Sequence, residues 1–561
     1  MTQVVSKNQL FNQIFETLET YENTGLSTKV FILSYGTDAS RCQVKEFYGR
    51  TLKQTWDKLV KFYRSLKNNP LYTRVDLITE EQSVTYDEMM QAISEVPRNN
   101  YIEFGIRLSG FKKRCFLKEE LTANALLVPD KEHKVGRNNP NLQFDERNYK
   151  GYIKRKHNLP EFTMNYFSNS EIYLFKTKAF FIEDEQVFEL KDYGFGNQFR
   201  MVEEDNFPEV LDVVIDQGAN YLFNQLSEEG DFVYGYYPCY DKNLPGYNSI
   251  RHFSSIYALL EAGEALGNQA MIERALKGLD WGFEYLSDEK EGKYFIKEQL
   301  KKTVEYKLGA QAMAILASAK YAQITGDTQY FEKMKSLTQT IEAHFLTENN
   351  ETIHVLNEDL TTKEKFRIVY YDGEALFGML RAYELMKDPE IFAICQRLMN
   401  HFVENNYEKY RDHWLSYAVN EFLKYEEKDE YYIFGMKNAL SRIDFIEKRD
   451  TAYPTMLELL VAAARMMEKL EAYDRRKEII SDEEFQQSKN RILDVMNHRA
   501  YHEVVTGVMF PEFGMFFKVP GKINYGFFAR HDRFRMRIDD AEHFLSGLVN
   551  FREVRKFEEV K

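Results

Sequence analysis

The chain changes texture near residue 206. Before it, apolar positions come in short runs broken by turn residues; after it, they recur every three or four residues over long stretches. In the first part, KVFILS (residues 29–34) is a β-rich run that stops at the turn cluster Tyr35-Gly36-Thr37-Asp38. Residues 75–78, 101–108 and 172–175 read as further strands. Leu52, Trp56, Leu59, Val60, Tyr63 and Leu66 share one helical face, which predicts a helix over 52–66; a second is expected over 86–93. DKEHKVGRNNP (130–140) reads as a loop, and the polar SYGTDASR (34–41) as a surface turn. No Walker loop, GxGxxG or nucleophile elbow occurs here. The expectation is a smaller α/β domain over residues 1–200.

In the second part the 3.6-residue period predicts twelve helices, over 208–226, 250–266, 271–286, 304–324, 330–345, 373–386, 390–404, 413–425, 432–446, 454–468, 483–498 and 539–551. Several neighbours are joined by one kind of turn: Leu266-Gly267-Asn268, Thr325-Gly326-Asp327, Lys387-Asp388-Pro389 and Lys428-Asp429-Glu430. Gly or Asp at such a point closes one helix and caps the next. The spacing of these turns is uneven, so the repeat is degenerate. Six hairpins with some long loops between them point to a closed ring rather than an open solenoid.

Within that frame, ALLEAGEALGN (258–268), LASAKYAQITGD (316–327), YYDGEALFGMLRAYELMKD (370–388) and DHWLSYAVNEFLKY (412–425) resemble the (α/α)6 toroid of the six-hairpin glycosidase-like superfamily. The resemblance spans residues 206–555 and implies a mainly α chain, a C-terminal (α/α)6 toroid preceded by the smaller α/β domain. The superfamily holds hydrolases, lyases, epimerases and non-catalytic relatives, most of them acting on carbohydrate, so architecture is implied more sharply than reaction. In such a ring the even-numbered helices form the inner layer and their N-termini rim one mouth. Polar residues do gather at those six starts: Arg251-His252, Glu305 with Lys307, Asp372 with Glu374, Asp412-His413, Arg449-Asp450, and Asp539-Asp540 with His543. Converging N-termini favour anionic or hydroxyl-rich ligands. Ordinary N-capping also places acids at first turns, and remains the alternative for any single position.

Tyr371-Asp372-Gly373-Glu374 is the sharpest motif: Asp372 is placed to cap the helix while Glu374 points into the mouth, and two carboxyls in different environments can divide acid and base roles. The catalytic candidates are Asp372 and Glu374, then Asp539 and Asp540, then Asp450. The substrate-binding candidates are Tyr247, Arg251, His252, Glu305, Lys307, Tyr371, His413, Trp414, Arg533, Arg535 and His543. Arg533 and Arg535 belong to FFARHDRFRMRIDDAEHF (527–544), whose alternating arginines suit carboxylates or phosphates, or else pair internally with the aspartates. Tyr234, Tyr236, Tyr237, Tyr240 and Tyr247 form an aromatic loop that serves either as stacking platforms or as a packed connector.

Composition narrows the classes. Lys+Arg is 74 against 88 for Asp+Glu, a net charge of −14, which argues against nucleic acid as a partner. Aromatics reach 15%, consistent with a sugar-stacking cleft or with an aromatic helical core. Cys42, Cys115, Cys239 and Cys395 are far apart, giving neither a disulfide framework nor a zinc motif. No cofactor, metal or membrane span is expected, and the absence of a leader-like N-terminus reads as cytoplasmic. The resulting expectation is glycoside hydrolysis, or a related reaction, on an intracellular or cell-surface glycan precursor. The alternatives are a uronate lyase or epimerase and a non-catalytic glycan-binding scaffold in surface-polymer biosynthesis, with the N-terminal domain docking a partner.

Overall fold

The computed structural model describes residues 7–22, 25–109, 114–134, 140–157 and 165–560. The chain divides into two compact units. Unit 1 comprises Met1–Phe207, Tyr236–Lys242 and Val505–Met536; unit 2 comprises Pro208–Gly235, Asn243–Val504 and Arg537–Lys561.

Unit 1 is built on an antiparallel sheet. Its strands are β1 (Lys29–Thr37), β2 (Ser40–Gly49), β3 (Tyr72–Val84), β4 (Gly105–Ser109), β5 (Arg114–Phe116), β6 (Glu171–Glu183), β7 (Gln186–Gly194) and β8 (Asn197–Arg200). The path runs β8-β7-β6-β3-β1-β2, with β4 pairing both β6 and β5. The surface turn expected over 34–41 shrinks to residues 38–39: 34–37 lie within β1 and 40–41 within β2, Ser34 is buried, and Asp38 O accepts the Gly521 N–H at 2.8 Å. Helices Lys7–Glu19 and Leu52–Arg64 bury Leu10, Phe11, Ile14, Trp56 and Leu59 against Phe31, Val75 and Phe180 of the sheet. A second core gathers Ile93, Ile102, Ile106, Phe116, Tyr149 and Phe167. The expected 130–140 loop is corrected where it is described: Leu127–Lys134 and Pro140–Phe144 pair antiparallel, with Leu127 opposite Phe144 and Val128 opposite Gln143. Apolar residues on both flanks favour pairing over a loop, and residues 135–139 lie outside the described residues.

Unit 2 carries twelve long helices among the described residues: α1 (Phe207–Gln225), α2 (Ser249–Leu266), α3 (Gln269–Tyr285), α4 (Leu308–Thr325), α5 (Phe331–Thr340), α6 (Tyr370–Met386), α7 (Pro389–Glu404), α8 (His413–Phe422), α9 (Asp429–Leu440), α10 (Thr455–Ala472), α11 (Asp482–Gly507) and α12 (Ile538–Val560). The even-numbered helices close a ring: α2 packs on α4, α4 on α6, α6 on α8, α8 on α10, α10 on α12, and α12 back on α2. This is an (α/α)6 toroid. The inner helix α4 is buried on all sides from Leu308 to Ala322, as a helix without a polar face must be. The outer helix α3 buries only the stripe Met271, Ile272, Ala275, Gly278, Leu279, Gly282 and Phe283.

The short turns form for the reasons their residues suggest. Gly267 closes α2 at φ 63°, and Asn268 caps α3 by accepting the Met271 N–H at 3.3 Å. Asp388 accepts the Glu390 N–H at 3.0 Å, with Pro389 in the first turn of α7. Some boundaries differ from the periodicity: α11 runs on to Gly507 and α12 to Val560, α9 stops at Leu440, and 304–307 is a strand, Val304–Lys307, pairing with Val355–Asn357 in a small five-stranded sheet on the loops that enter α4 and α6. No helix among the described residues is long and apolar enough to cross a membrane.

Candidate functional site

Asp372 lies in the first turn of α6 and Glu374 two residues on, and both are buried. Asp372 does not cap its own helix. Its Oδ1 accepts from Thr352 Oγ1 at 2.5 Å and lies 3.2 Å from His354 Nε2. His354 Nδ1 accepts the backbone N–H groups of Arg367 (2.9 Å) and Ile368 (3.3 Å), so its proton sits on Nε2 and is donated to Asp372. The motif's first acid thus anchors the loop before α6. Glu374 Oε2 is buried without a partner, close enough to Gly309 that a Cβ there would come within 2.1 Å of it. Burial raises the Glu374 pKa, proximity to His543 restrains it, and Asp372 adds to the rise, leaving it at about 8.

Next round the ring, Asp412 caps α8 by accepting the N–H groups of Trp414 (3.0 Å) and Leu415 (3.1 Å), and burial holds its carboxyl well above the ordinary range. His413 Nδ1 lies 3.4 Å from Asp412 Oδ1, while Nε2 is buried without a hydrogen-bond partner, 3.8 Å from Glu458 Oε2 on α10. Burial, then the nearby His543, keeps His413 neutral. His543 on α12 faces it with ring centroids 5.2 Å apart, and its Nδ1 lies 2.8 Å from Glu458 Oε2, within hydrogen-bond distance. Burial also raises the pKa values of Glu458, Glu503 and Glu542, so charge is disfavoured across the cluster's floor.

Fixed charges flank this cluster. Asp539 pairs with Arg251 at 2.7 Å and Arg537 at 2.9 Å; burial opposes its ionisation, but Arg251 and then Arg537 bring its pKa below the usual range. Burial likewise opposes ionisation of Glu305, yet hydrogen bonds from Arg367 and Lys363, with the charge of Lys307, bring it down to about 2. Lys307 also lies 3.6 Å from Glu298, whose Oε2 accepts the Ser249 N–H at the start of α2.

At the even-helix starts the structure thus pairs Arg251 with Asp539, Glu305 with Lys307 (3.4 Å) and His413 with His543, sets Tyr371 against His354 with ring centroids 5.3 Å apart, and buries Asp372 and Glu374. Trp414 is buried nearby, its ring 6.4 Å from that of His543. Asp540 accepts the Arg537 N–H at 3.0 Å and so ties down the entry to α12. Five of the expected site residues need correction. His252 is fully buried, Nδ1 meeting Tyr247 Oη at 2.8 Å and Nε2 the Gly278 carbonyl at 2.9 Å, so neither His252 nor Tyr247 is placed for a ligand. Asp450 sits in the loop before α10, where its carbonyl accepts from His502 at 2.9 Å; Glu458 takes the place in the cluster instead. Arg533 and Arg535 belong to unit 1, where Arg535 pairs with Asp532 at 2.5 Å and Arg533 is exposed.

Sequence reasoning missed Glu458, Thr352, His354 and Glu542. Glu458 had a signal: it is the one acid in the otherwise apolar stretch 456–464. His413, Glu458 and His543 could also hold a metal ion, with one donor atom from each lying within 4.8 Å of the others.

No protein-family model matches the chain, and no curated protein matches it. Among solved structures it is similar to a D-mannose isomerase at TM-score 0.47 and 10% identity, covering 63% of this chain and 99% of that one. A cellobiose 2-epimerase from Bacillus thermoamylovorans aligns at TM-score 0.43 and 13% identity, covering 61% and 99%. An α-1,6-mannanase from a Salegentibacter species aligns at 0.41 and 11%, covering 61% and 99%. These likenesses are too remote to carry an activity across.

Proposed function

We propose that the toroid is a carbohydrate-active enzyme working by proton transfer at this mouth, and that its reaction moves a proton between sugar carbons at the carbonyl, as in isomerisation. The facing pair His413 and His543, 5.2 Å between ring centroids with Glu458 bridging them, carries this reading. A general base needs a free lone pair near neutral pH, and burial keeps His413 in that form. The two imidazoles are in edge-to-face contact and leave no room for a carbon between them, so they act from one side, taking a proton from one sugar carbon and returning it to the next. Glu374, protonated below about pH 8, can donate to the oxygen on which charge develops. Arg251 and Arg537 are both committed to Asp539, which favours a neutral sugar over a uronate.

Glycoside hydrolysis is the second reading, favoured by the opposition of a neutral Glu374 and an ionised Asp539. It ranks second because Asp539 is held by two arginines and has little freedom to act as a base. The test is to incubate the full chain with mono- and disaccharides in D2O and follow NMR spectra. Deuterium entering a sugar carbon, abolished by His413→Gln or His543→Gln, supports proton transfer. New reducing ends without exchange, lost in Glu374→Gln, establish hydrolysis in its place. Absence of both sinks the carbohydrate reading.

A further inference from the structure

We infer that unit 1 carries a saccharide-binding site of its own, built from residues the toroid cluster does not use. A cavity of about 1010 Å3 is lined by Asn99, Thr122, Gln143, Asp145, Tyr240 and Arg533 together with an apolar wall at 127–129, all in unit 1. That is room for several sugar rings, at the top of the range of ~300–1,000 Å3 for small-molecule sites.

The cavity is built rather than incidental. Asn99 is 6% exposed, and its Nδ2 donates to the His531 carbonyl at 3.2 Å, which fixes the amide's orientation. Its Oδ1 is left buried without a hydrogen-bond partner. Such an acceptor is costly to bury unless something donates to it. The next residue locks the same edge: Asn100 Nδ2 donates to the Arg530 carbonyl at 2.8 Å, and Arg530 Nη1 donates back to the Asn100 carbonyl at 3.3 Å. Asn100, Ala125 and Arg533 all hold left-handed backbone (φ 68°, 49° and 59°), a conformation that side-chain-bearing residues keep only where surrounding structure enforces it.

The lining selects the ligand. Asn99 Oδ1 and the carboxylates Asp130 and Asp145 make the cavity rich in acceptors, while Arg533 is the one cation among the lining residues. A polyanion would be repelled; a ligand presenting many hydroxyls would donate to these acceptors and accept from Arg533 and Gln143. Tyr240, 37% exposed, offers a ring for a sugar face to stack on. The choice of a saccharide over other hydroxyl-rich ligands rests on the toroid reading.

The test is isothermal titration of the full chain with maltotetraose, cellotetraose and mannotetraose, and with spermidine as a cationic probe. It compares wild type, a His413→Gln/His543→Gln double variant, and an Arg533→Ala/Tyr240→Ala double variant, whose changes fall on exposed side chains. The expected result is that one tetrasaccharide binds wild type and the histidine variant equally, and at least tenfold more weakly when Arg533 and Tyr240 are removed. Binding lost in the histidine variant and intact in the other assigns all saccharide binding to the toroid; it overturns this site and leaves the proposed function standing. No saccharide binding by the histidine variant, or binding of spermidine alone, also overturns it. Binding that survives in unit 1 with no turnover anywhere overturns the proposed function instead.

Discussion

The proton inventory of a few side chains decides what the mouth can do. Glu374 is the most informative, because its pKa of about 8 makes it a proton donor at neutral pH. Glu374→Gln keeps the shape of the protonated acid and removes its proton, so turnover of whichever sugar proves active falls ~10²–10⁴-fold with folding intact. In the wild type, activity declines as pH rises through about 8 and Glu374 ionises; steady-state profiles of the two proteins would show that limb missing from the variant. The acids of the Asp372-Gly373-Glu374 motif were legible because polar residues at a helix start stand out. Their division of labour was not. Asp372's partners, Thr352 and His354, lie in a strand and loop some twenty residues away, and no local pattern announces them. His252 illustrates the reverse: a histidine at a helix start is indistinguishable in sequence from a ligand until both its nitrogens are seen to be occupied.

Among the elements, the inner helices approach one another through glycine. A Cβ on Gly373 would meet the Leu415 amide nitrogen and the Asp412 carboxyl at 2.4 Å, and one on Gly378 would meet the Ala312 carbonyl at 2.7 Å. Neither backbone can yield cheaply. Gly373→Ala is expected to cost ~1–3 kcal/mol in urea unfolding and to lower activity as well, since it pushes α6 away from the Asp412–His413 corner. Gly151, whose Cβ would meet only the Arg155 guanidinium at an ordinary 3.7 Å, is the control for the packing term. The twelve helices were legible from period and caps, because each hairpin turn is local chemistry. The boundary at 304–308 was not, because Val304–Lys307 suits a helix or a strand, and pairing with Val355–Asn357 decides it.

For the molecule as a whole, buried carboxyls set the response to pH. Glu374, Asp412, Glu458, Glu503 and Glu542 all have pKa values raised by folding. Each keeps a proton in the native state that the unfolded chain has released, so its contribution is complete below the unfolded glutamate or aspartate value and is lost as pH rises towards the folded one. The slope is ~1.4 kcal/mol per pH unit for each such group. Denaturant titrations of unit 2 unfolding should therefore give falling stability from pH 5 to 8. Glu503→Gln, which removes one titrating group outside the proposed chemistry, should flatten the fall. In unit 1 the sign reverses for Glu512: burial would raise its pKa, but the charge and hydrogen bonds of Arg200 bring it below the ordinary value, so its contribution disappears as pH falls through that range. Glu512→Gln leaves Arg200 short of its buried partner and is expected to cost ~3–5 kcal/mol, read from unfolding of unit 1.

Arg200 and Glu512 are 312 residues apart in sequence, and Arg74 likewise donates to the Glu512 carbonyl at 3.3 Å. A segment near the far end of the chain thus completes the interior of the unit that is synthesised first. During translation, the sheet of unit 1 must wait with Arg74 and Arg200 incompletely partnered while nearly the whole toroid emerges, the reverse of the usual order in which an N-terminal domain folds as soon as it is made. Ribosome-bound chains halted before residue 512 should remain protease-sensitive across residues 72–200, and chains halted well beyond residue 536 should not.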